Sequence, residues 1–190
     1  TPSLGKGEKK MAQKRKKRVA VVQCSGGSCT QTELPRESYG ADCAQAVAAH
    51  PEGILKCRWG CIGLGSCVSA CRLGALHIGE RGTAEVDWEK CVGCGLCVKA
   101  CPMHLIRLTQ PEYIIYPACV NENAGAETRK ECQTGCIACG ICVKACPMQA
   151  IRIVDNHAVI DEEKCIACGM CAVRCPRGVI RDQNGILTVQ

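Results

Sequence analysis

Aromatic residues are scarce in this chain of 190 residues, which has no Phe, two Trp and three Tyr. So few large rings provide little material for a conventional core. Long apolar runs are missing as well, and no stretch approaches the roughly 18 consecutive apolar residues of a membrane-spanning helix. The chain therefore needs another source of stability, and bound metal is the usual one for such a sequence.

Motifs for bond-making chemistry are also absent. The sequence shows no Ser-His-Asp set, no Walker loop and no dinucleotide fingerprint, and the glycines of residues 60–65 are interrupted by a cysteine. Four histidines are scattered along the chain and fit surface or packing roles: His50, His77, His104 and His157. We therefore predict no catalytic residue.

Cysteine, by contrast, is abundant, with 21 residues in four regularly spaced runs and a few positions outside them. Three runs have the complete spacing Cys-x2-Cys-x2-Cys-x3-Cys: Cys91, Cys94, Cys97, Cys101; Cys136, Cys139, Cys142, Cys146; and Cys165, Cys168, Cys171, Cys175. The remaining run contains Cys61, Cys67 and Cys71, with Leu64 at the second position. This spacing is typical of bacterial ferredoxins, in which three close thiolates bind three irons of one 4Fe-4S cluster.

Two other uses of cysteine fit less well. A disulfide scaffold is typical of small secreted chains, but this count is odd and closely spaced thiols are poorly placed to pair independently. A zinc site usually has two Cys-x2-Cys pairs separated by a spacer, rather than three evenly spaced thiolates followed by Cys-Pro. The spacing therefore favours iron-sulfur clusters.

In two-cluster ferredoxins the fourth ligand comes from the last cysteine of the partner run. This rule predicts three fully ligated clusters, held by Cys91, Cys94, Cys97 and Cys71; by Cys136, Cys139, Cys142 and Cys175; and by Cys165, Cys168, Cys171 and Cys146. A further cluster would have Cys61, Cys67 and Cys101, because Leu64 removes one ligand. Its fourth position stays open among a 3Fe-4S cluster, recruitment of Cys57, and a solvent or other non-thiolate ligand.

Six cysteines lie outside the runs. We expect a fifth cluster on the first four of them: Cys24, Cys29, Cys43 and Cys57. If Cys57 serves there, it is unavailable to replace Leu64. Cys119 and Cys132 are then left over, as buried thiols or as a redox-active pair.

The cysteine pattern is duplicated along the chain. Each half has two runs, preceded by a short β-branched strand that leads to a cysteine: residues 18–24 end at Cys24 and residues 113–119 end at Cys119. The predicted fold class is α+β, with tandem two-cluster ferredoxin-like units, each with a strand-plus-Cys prefix. The predicted boundaries are a basic tail over 1–18, a first unit over 19–110 and a second unit over 111–190.

Hydrophobic patterning places short strands and helices around the cysteine runs. Strands are predicted at residues 19–22, 76–78, 84–87, 106–108, 113–116, 151–154 and 158–161. A short helix is predicted after the third cysteine of each run, with longer helices at 41–49 and 126–132.

Positive charge is concentrated at the start, where eight of the first 18 residues are Lys or Arg. Such a tail is typically solvated, and it could also dock an acidic redox partner or anionic lipid. The formal charge of +6 omits the clusters, each of which contributes about −2, so a holo protein with four would carry about −2. We therefore expect no nucleic-acid partner.

The segments VAVVQCSGG, CRWGCIGLGSCVSAC and YPACVNENAG, together with CVGCGLCVKACP and the last CIACGMCAVRCP, resemble the cytoplasmic iron-sulfur region of the B subunit of the Rnf complex. The resemblance covers about residues 18 to 182. It implies an electron relay that takes electrons from reduced ferredoxin into a membrane complex, which reduces NAD while moving ions. The family usually adds an N-terminal membrane helix and a small cluster-binding domain, and we expect neither in this sequence.

We accordingly expect an electron-transfer subunit with four or five 4Fe-4S clusters, either from this family or from a soluble relative. Its expected partners are other oxidoreductase subunits and ferredoxin, and its expected compartment is the reducing cytoplasm, free or peripheral to the membrane. Two alternatives remain at this point: a four-cluster subunit of another dehydrogenase or reductase, and a cluster-bearing regulator that binds nucleic acid through its tail.

Overall fold

The computed structural model of the protein describes residues 16–27 and 36–187. Cys29 and most of the basic tail therefore lie outside the described residues. The strands are β1 (Val19–Val22), β2 (Leu76–Ile78), β3 (Ala84–Val86), β4 (Ile106–Thr109), β5 (Ile115–Pro117), β6 (Ile151–Val154), β7 (His157–Ile160) and β8 (Ile180–Asp182). The helices are α1 (Cys43–Ala49), α2 (Ser66–Ser69), α3 (Leu96–Ala100), α4 (Gly125–Glu131), α5 (Ile141–Ala145) and α6 (Met170–Val173), with a 3-10 turn at Arg36–Tyr39.

The strands of the described segments pair into four two-stranded antiparallel sheets. In the first half β2 pairs with β3, and β1 pairs with β4, with Val19 opposite Thr109. The second half repeats this arrangement, with β6 against β7 and β5 against β8. The first strand of each half thus pairs with its last strand, and the two cysteine runs lie between them.

Most predicted strands are confirmed, three of them at the predicted bounds. The strand predicted at 113–116 instead begins at Ile115, and β8 was not predicted because its sequence is short and polar. The helices of the runs begin one residue before the third cysteine rather than after it. Both longer helices were predicted to within two residues.

Three apolar clusters form the core, and cysteines belong to each of them. The largest two lie in the two halves, where aliphatic strand residues pack against the cysteine runs. A smaller cluster seats α1 through Ala46, packed with Tyr39, Ile54, Leu55 and Ile62. In the two larger clusters the buried residues are thus aliphatic side chains and thiols, without a buried aromatic ring.

The two halves interlock along a boundary of polar contacts. The Ser25 hydroxyl donates to the Ala118 carbonyl at 3.2 Å, and the Gln133 amide donates to the Gly27 carbonyl at 3.1 Å. The rings of Trp88 and Tyr116 stack across the boundary with centroids 6.3 Å apart. Across the described ranges, 16–27 and 36–187, none of the helices has the length and apolar character needed to cross a membrane.

Candidate metal centres

The same turn follows the fourth cysteine of every run. The third residue after that cysteine has a positive φ: Gly74 (60°), His104 (52°), Gln149 (49°) and Gly178 (58°). This conformation turns the next backbone amide back toward the cysteine sulfur. The four N to Sγ distances are 3.3 Å for Ala75 to Cys71, 3.5 Å for Leu105 to Cys101, 3.3 Å for Ala150 to Cys146 and 3.4 Å for Val179 to Cys175. An amide donor aimed at sulfur stabilises a thiolate, which is the form that binds metal.

A second shared feature is the glycine that precedes each short helix. Gly65, Gly95, Gly140 and Gly169 have φ values of 79°, 79°, 71° and 73°. The left-handed conformation costs a residue with a Cβ about 1–2 kcal/mol, so glycine fits here. The turn places the second cysteine before the helix at the surface and the third inside it. Accordingly Cys94, Cys139 and Cys168 are exposed, whereas Cys67, Cys97, Cys142 and Cys171 are buried.

One predicted ligand set of the second half lines a single cavity. Cys136, Cys139 and Cys142 of one run meet Cys175 of the other run there, beside Ile180. Burial raises the pKa of Cys142 to about 11, with smaller contributions from neighbouring thiols. The structure thus brings together four thiols that the ferredoxin rule assigned to one cluster.

The other two regular sets are assembled in part around buried thiols. Burial raises the pKa of Cys171 to about 12, and the thiol of Cys165 contributes next. Burial also raises the pKa of Cys97, followed by the effect of Cys91. In the first half, Cys71 also packs against the apolar cluster that contains Cys91 and Cys97.

The incomplete run acquires a thiol from outside the runs. Cys43, the first residue of α1, lines one cavity together with Cys61, Cys67 and Cys101. Its amide donates to the Ser66 hydroxyl at 2.9 Å, which ties α1 to the start of α2. Leu64 packs against the apolar cluster that seats α1. Leu64, at the second position of the run, thus helps to hold the helix that brings Cys43 into this cavity.

Four further cysteines meet in a cavity between the halves: Cys24, Cys57, Cys119 and Cys132. We call them the central cysteines and their cavity the central cavity. Cys57, Cys119 and Cys132 are at least nine-tenths buried. Burial raises the pKa of Cys57 to about 12, and the thiols of Cys132, Cys119 and Cys24 raise it further.

The sequence-based grouping of Cys24, Cys29, Cys43 and Cys57 therefore needs correction. Cys43 lies with the incomplete run, while Cys24 and Cys57 lie with Cys119 and Cys132. Cys57 is in the central cavity rather than at the position left by Leu64. Cys119 and Cys132 were set aside on the sequence because two cysteines cannot hold a cluster alone. Their alignment with Cys24 and Cys57 was the signal that could have found them.

Comparison with known families finds iron-sulfur domains in both halves of the chain. Models described as 4Fe-4S dicluster domains match residues 58–108, 90–151 and 135–179. The B subunit of the Na⁺-translocating ferredoxin:NAD⁺ oxidoreductase complex of Acetobacterium woodii is 42% identical over 149 residues, which is 78% of this chain and 44% of that relative. Over about three quarters of its length, this chain is homologous to Rnf B subunits.

Two further Rnf relatives are similar to nearly the same extent. The B subunit of the proton-translocating ferredoxin:NAD⁺ oxidoreductase complex of Clostridium ljungdahlii is 41% identical, over 76% of this chain and 51% of the relative. The B subunit of the ion-translocating oxidoreductase complex of Methanosarcina acetivorans is 36% identical, over 78% of this chain and 56% of the relative. The chain spans about half the length of these relatives.

The thiol sets fit 4Fe-4S clusters chemically. Every described cysteine carries a thiol rather than a disulfide, and amide donors face the sulfur of the fourth cysteine in each run. Ligands of a single ion converge on one point, and no group of three or more His, Cys, Asp or Glu in the described segments does so. The thiolates of a cubane bind four separate irons and need not converge.

Proposed function

We propose that this chain is a multi-cluster electron-transfer subunit, which takes electrons from a low-potential donor such as reduced ferredoxin and passes them to a larger oxidoreductase complex of Rnf type. The observation that carries the proposal is the cavity shared by Cys136, Cys139, Cys142 and Cys175. Those thiols come from two different runs, as the ligands of two-cluster ferredoxins do. The relatives' names supply the donor and the kind of complex.

The proposed ligands of the dicluster domains form four sets. They are Cys71 with Cys91, Cys94 and Cys97; Cys43 with Cys61, Cys67 and Cys101; Cys175 with Cys136, Cys139 and Cys142; and Cys146 with Cys165, Cys168 and Cys171. When bound, each 4Fe-4S cluster supplies reversible uptake of a single electron. With Cys43 as the fourth ligand, the site altered by Leu64 holds a 4Fe-4S rather than a 3Fe-4S cluster.

The protein's contribution is to set the environment of each sulfur. Backbone amides that donate to the fourth cysteine of each run stabilise negative charge there and so favour the reduced state. Burial of the third cysteine keeps water away, while exposure of Cys94, Cys139 and Cys168 leaves one edge of each of these three sites near the surface. Electron-transfer partners are expected to approach those edges.

The proposed organisation follows the duplication. Each unit, 19–110 and 111–190, carries its own first strand and cysteine ahead of its two runs, and residues 1–18 form a basic tail that can dock an acidic partner or an anionic membrane surface. So many thiols require a reducing compartment, which supports a cytoplasmic location. The proposed partners are ferredoxin and other subunits of the complex, without nucleic acid.

Anaerobic purification followed by iron, acid-labile sulfide and EPR measurements tests the proposal. We expect at least about sixteen irons per chain, from four clusters of four. Addition of substoichiometric reduced ferredoxin should produce reduced 4Fe-4S signals in this chain, whereas oxidised ferredoxin should not. Bound zinc with negligible sulfide, or no electron uptake from reduced ferredoxin by the fully loaded chain, would overturn the proposal.

A further inference from the structure

We propose that the central cysteines are the ligands of a fifth 4Fe-4S cluster, placed at the boundary between the two halves. The inference rests on the proposed function in that both require an iron-sulfur protein. It goes further because the four ligands come from outside the four cysteine runs. The dicluster-domain matches at 58–108, 90–151 and 135–179 include at most Cys119 and Cys132 of the four.

The first argument is the symmetry of the site. Cys24 and Cys119 each follow the first strand of their half, and Cys57 and Cys132 each lie four residues before the next run. The amide of Cys61 donates to Cys24 Sγ at 3.4 Å, and the amide of Cys136 donates to Cys119 Sγ at 3.4 Å. Each half therefore supplies two sulfurs from matching positions, and the sulfurs of Cys24 and Cys119 accept equivalent amide hydrogen bonds.

The second argument is that the halves exchange contacts at the same positions. Asn121, two residues after Cys119, donates from Nδ2 to Cys57 Sγ at 3.3 Å. The carbonyl oxygen of Gly26, two residues after Cys24, lies 3.6 Å from Cys132 Sγ. The cysteine near the run of one half thus faces the strand-linked segment of the other half. The two copies of the strand-plus-Cys motif therefore line the central cavity from opposite halves.

The third argument comes from a buried donor on a residue that lines this cavity. Trp59 lines the central cavity, and its indole Nε1 is buried without a hydrogen-bond partner among the described residues. A buried N–H that is left unsatisfied costs about 1–3 kcal/mol, so such groups normally have an acceptor. A sulfide or thiolate of a cluster in the cavity would provide one.

The occupant is a cubane rather than a zinc ion. Four thiols together with backbone and side-chain donors to sulfur repeat the chemistry of the four dicluster sites. A zinc ion would draw its sulfurs to about 2.3 Å from one point. In the described segments no three such side chains converge closely enough for one ion.

Cys61 and Cys136 also connect the central site to its neighbours. Each donates its backbone amide to a central sulfur, while its own thiol belongs to an adjacent ligand set.

Iron counting on the intact chain tests the inference. The reconstituted wild-type protein should hold about twenty irons, and the double variant Cys119→Ser/Cys132→Ser about sixteen, with an equal loss of sulfide. Cys29→Ser is the matched control, because Cys29 belonged to the alternative grouping, and it should retain about twenty. Unchanged iron in the double variant, or loss of zinc instead of iron, would overturn the inference while leaving a four-cluster relay intact. A wild-type chain without iron would overturn both proposals.

A second variant keeps all ligands and covers the case in which the double variant does not fold. Asn121→Ala removes the Nδ2 donor to Cys57 Sγ and should retain about twenty irons. Loss of a hydrogen bond to a ligand sulfur lowers the reduction potential of the cluster that it serves. Redox titration by EPR should therefore show one signal shifted to lower potential and the others unchanged. If no signal shifts, the central cysteines do not bind a cluster.

Discussion

Leu64 and Cys43 show how a single exchanged residue can be compensated from elsewhere in the chain. In the other three runs the second position is an exposed cysteine. At the incomplete run an aliphatic side chain takes that position and packs against the cluster that seats α1, which carries Cys43 into the ligand cavity. Leu64, which stands where the other runs have a cysteine, thus packs with the same helix that brings the thiol of Cys43 to the cavity.

This compensation predicts the effect of Cys43→Ser. A site with three thiolates loses an iron easily, so the variant should show a 3Fe-4S EPR signal in its oxidised state that the wild type lacks. Adding Leu64→Cys in the same chain restores the regular spacing and should abolish the signal. If Cys43→Ser produces no such signal, or if the double variant keeps it, Cys43 is not the fourth ligand.

The residue before the second position of each run supplies another test. It has a positive φ in all four runs and is Gly63, Gly93, Ala138 or Ala167. At Gly93 an added Cβ would lie 2.4 Å from the Arg18 carbonyl oxygen, whereas the second half accommodates alanine. Gly93→Ala should therefore lower the free energy of unfolding by at least about 2 kcal/mol, from strain and steric conflict together.

The matched change in the opposite direction is Ala138→Gly. Relief of left-handed strain and the greater entropy of unfolded glycine nearly cancel, so its effect should stay below about 1 kcal/mol. Anaerobic urea denaturation followed by cluster absorbance measures both variants. Equal effects of the two substitutions on the free energy of unfolding would show that the close approach of the Arg18 carbonyl to residue 93 does not destabilise Gly93→Ala.

The sequence was informative at the residue scale wherever ligands are close in sequence. The four thiols that line the Cys136 cavity were predicted because spacing within a ferredoxin run reflects cluster geometry. The sequence grouped Cys43 with Cys24 and Cys57, whereas the structure places it beside Cys61, from which helix α1 and a loop separate it along the chain. The spacing of cysteines along the sequence does not specify where a residue so far from the run will pack.

At the scale of elements, α1 positions a proposed ligand by its first residue. Asp42 caps the helix, and its Oδ1 accepts from the amides of Ala44 at 2.8 Å and Gln45 at 2.9 Å. With seven residues, α1 is too short to be stable without its cap and its packing against Ile54 and Ile62. The position of Cys43 therefore depends on this cap.

Asp42→Ala should destabilise the protein by about 1 kcal/mol, because two amides at the helix start lose their acceptor. Gln45→Ala is the control, since that side chain is exposed on the same helix. The variant should also lose iron faster than the control under a chelator, with the loss beginning at the Cys43 site. Identical unfolding midpoints and identical iron release for the two variants would contradict the proposed role of the cap.

Short strands in this protein could be read from β-branched residues, but their pairing could not. β1 and β4 are far apart in sequence, and pairing them closes each half around its cysteine runs. The strand β8 went unpredicted because Arg181 and Asp182 break the apolar pattern. The extended conformation of β8 depends on its pairing with β5. Such a tertiary contact cannot be predicted from the residues of the strand alone.

At the scale of the whole molecule, polar contacts join the duplicated halves, some of them between residues that line the central cavity. The sequence revealed the duplication but not that the spare cysteines of each copy face one another. Cys24 and Cys57 looked like an extra set in one half, because the sequence does not specify how two repeats dock. Once docked, the two pairs complete a set of four.

An ion pair joins Arg107 of β4 in the first half to Glu162 of the second half. Substitution of Glu162 measures how much this contact between the halves stabilises the protein. The Thr109 hydroxyl also donates to Glu162 Oε1 at 2.9 Å. Glu162→Gln keeps an acceptor and should cost about 0.5–1 kcal/mol, with a smaller cost at high salt because the pair is partly exposed. Glu162→Ala leaves the buried Thr109 hydroxyl without this acceptor and should cost about 1–3 kcal/mol. Both costs are read from anaerobic urea midpoints at low and high salt.

Lys164→Gln is the control for this experiment, because Lys164 pairs with Asp161 inside the second half and is largely exposed. Its midpoint should change by less than about 0.5 kcal/mol. In Glu162→Ala the two halves should separate more readily, so iron should be released from the boundary before the outer clusters. Release of all iron in a single step with an unchanged midpoint would mean that Glu162 does not stabilise the contact between the halves.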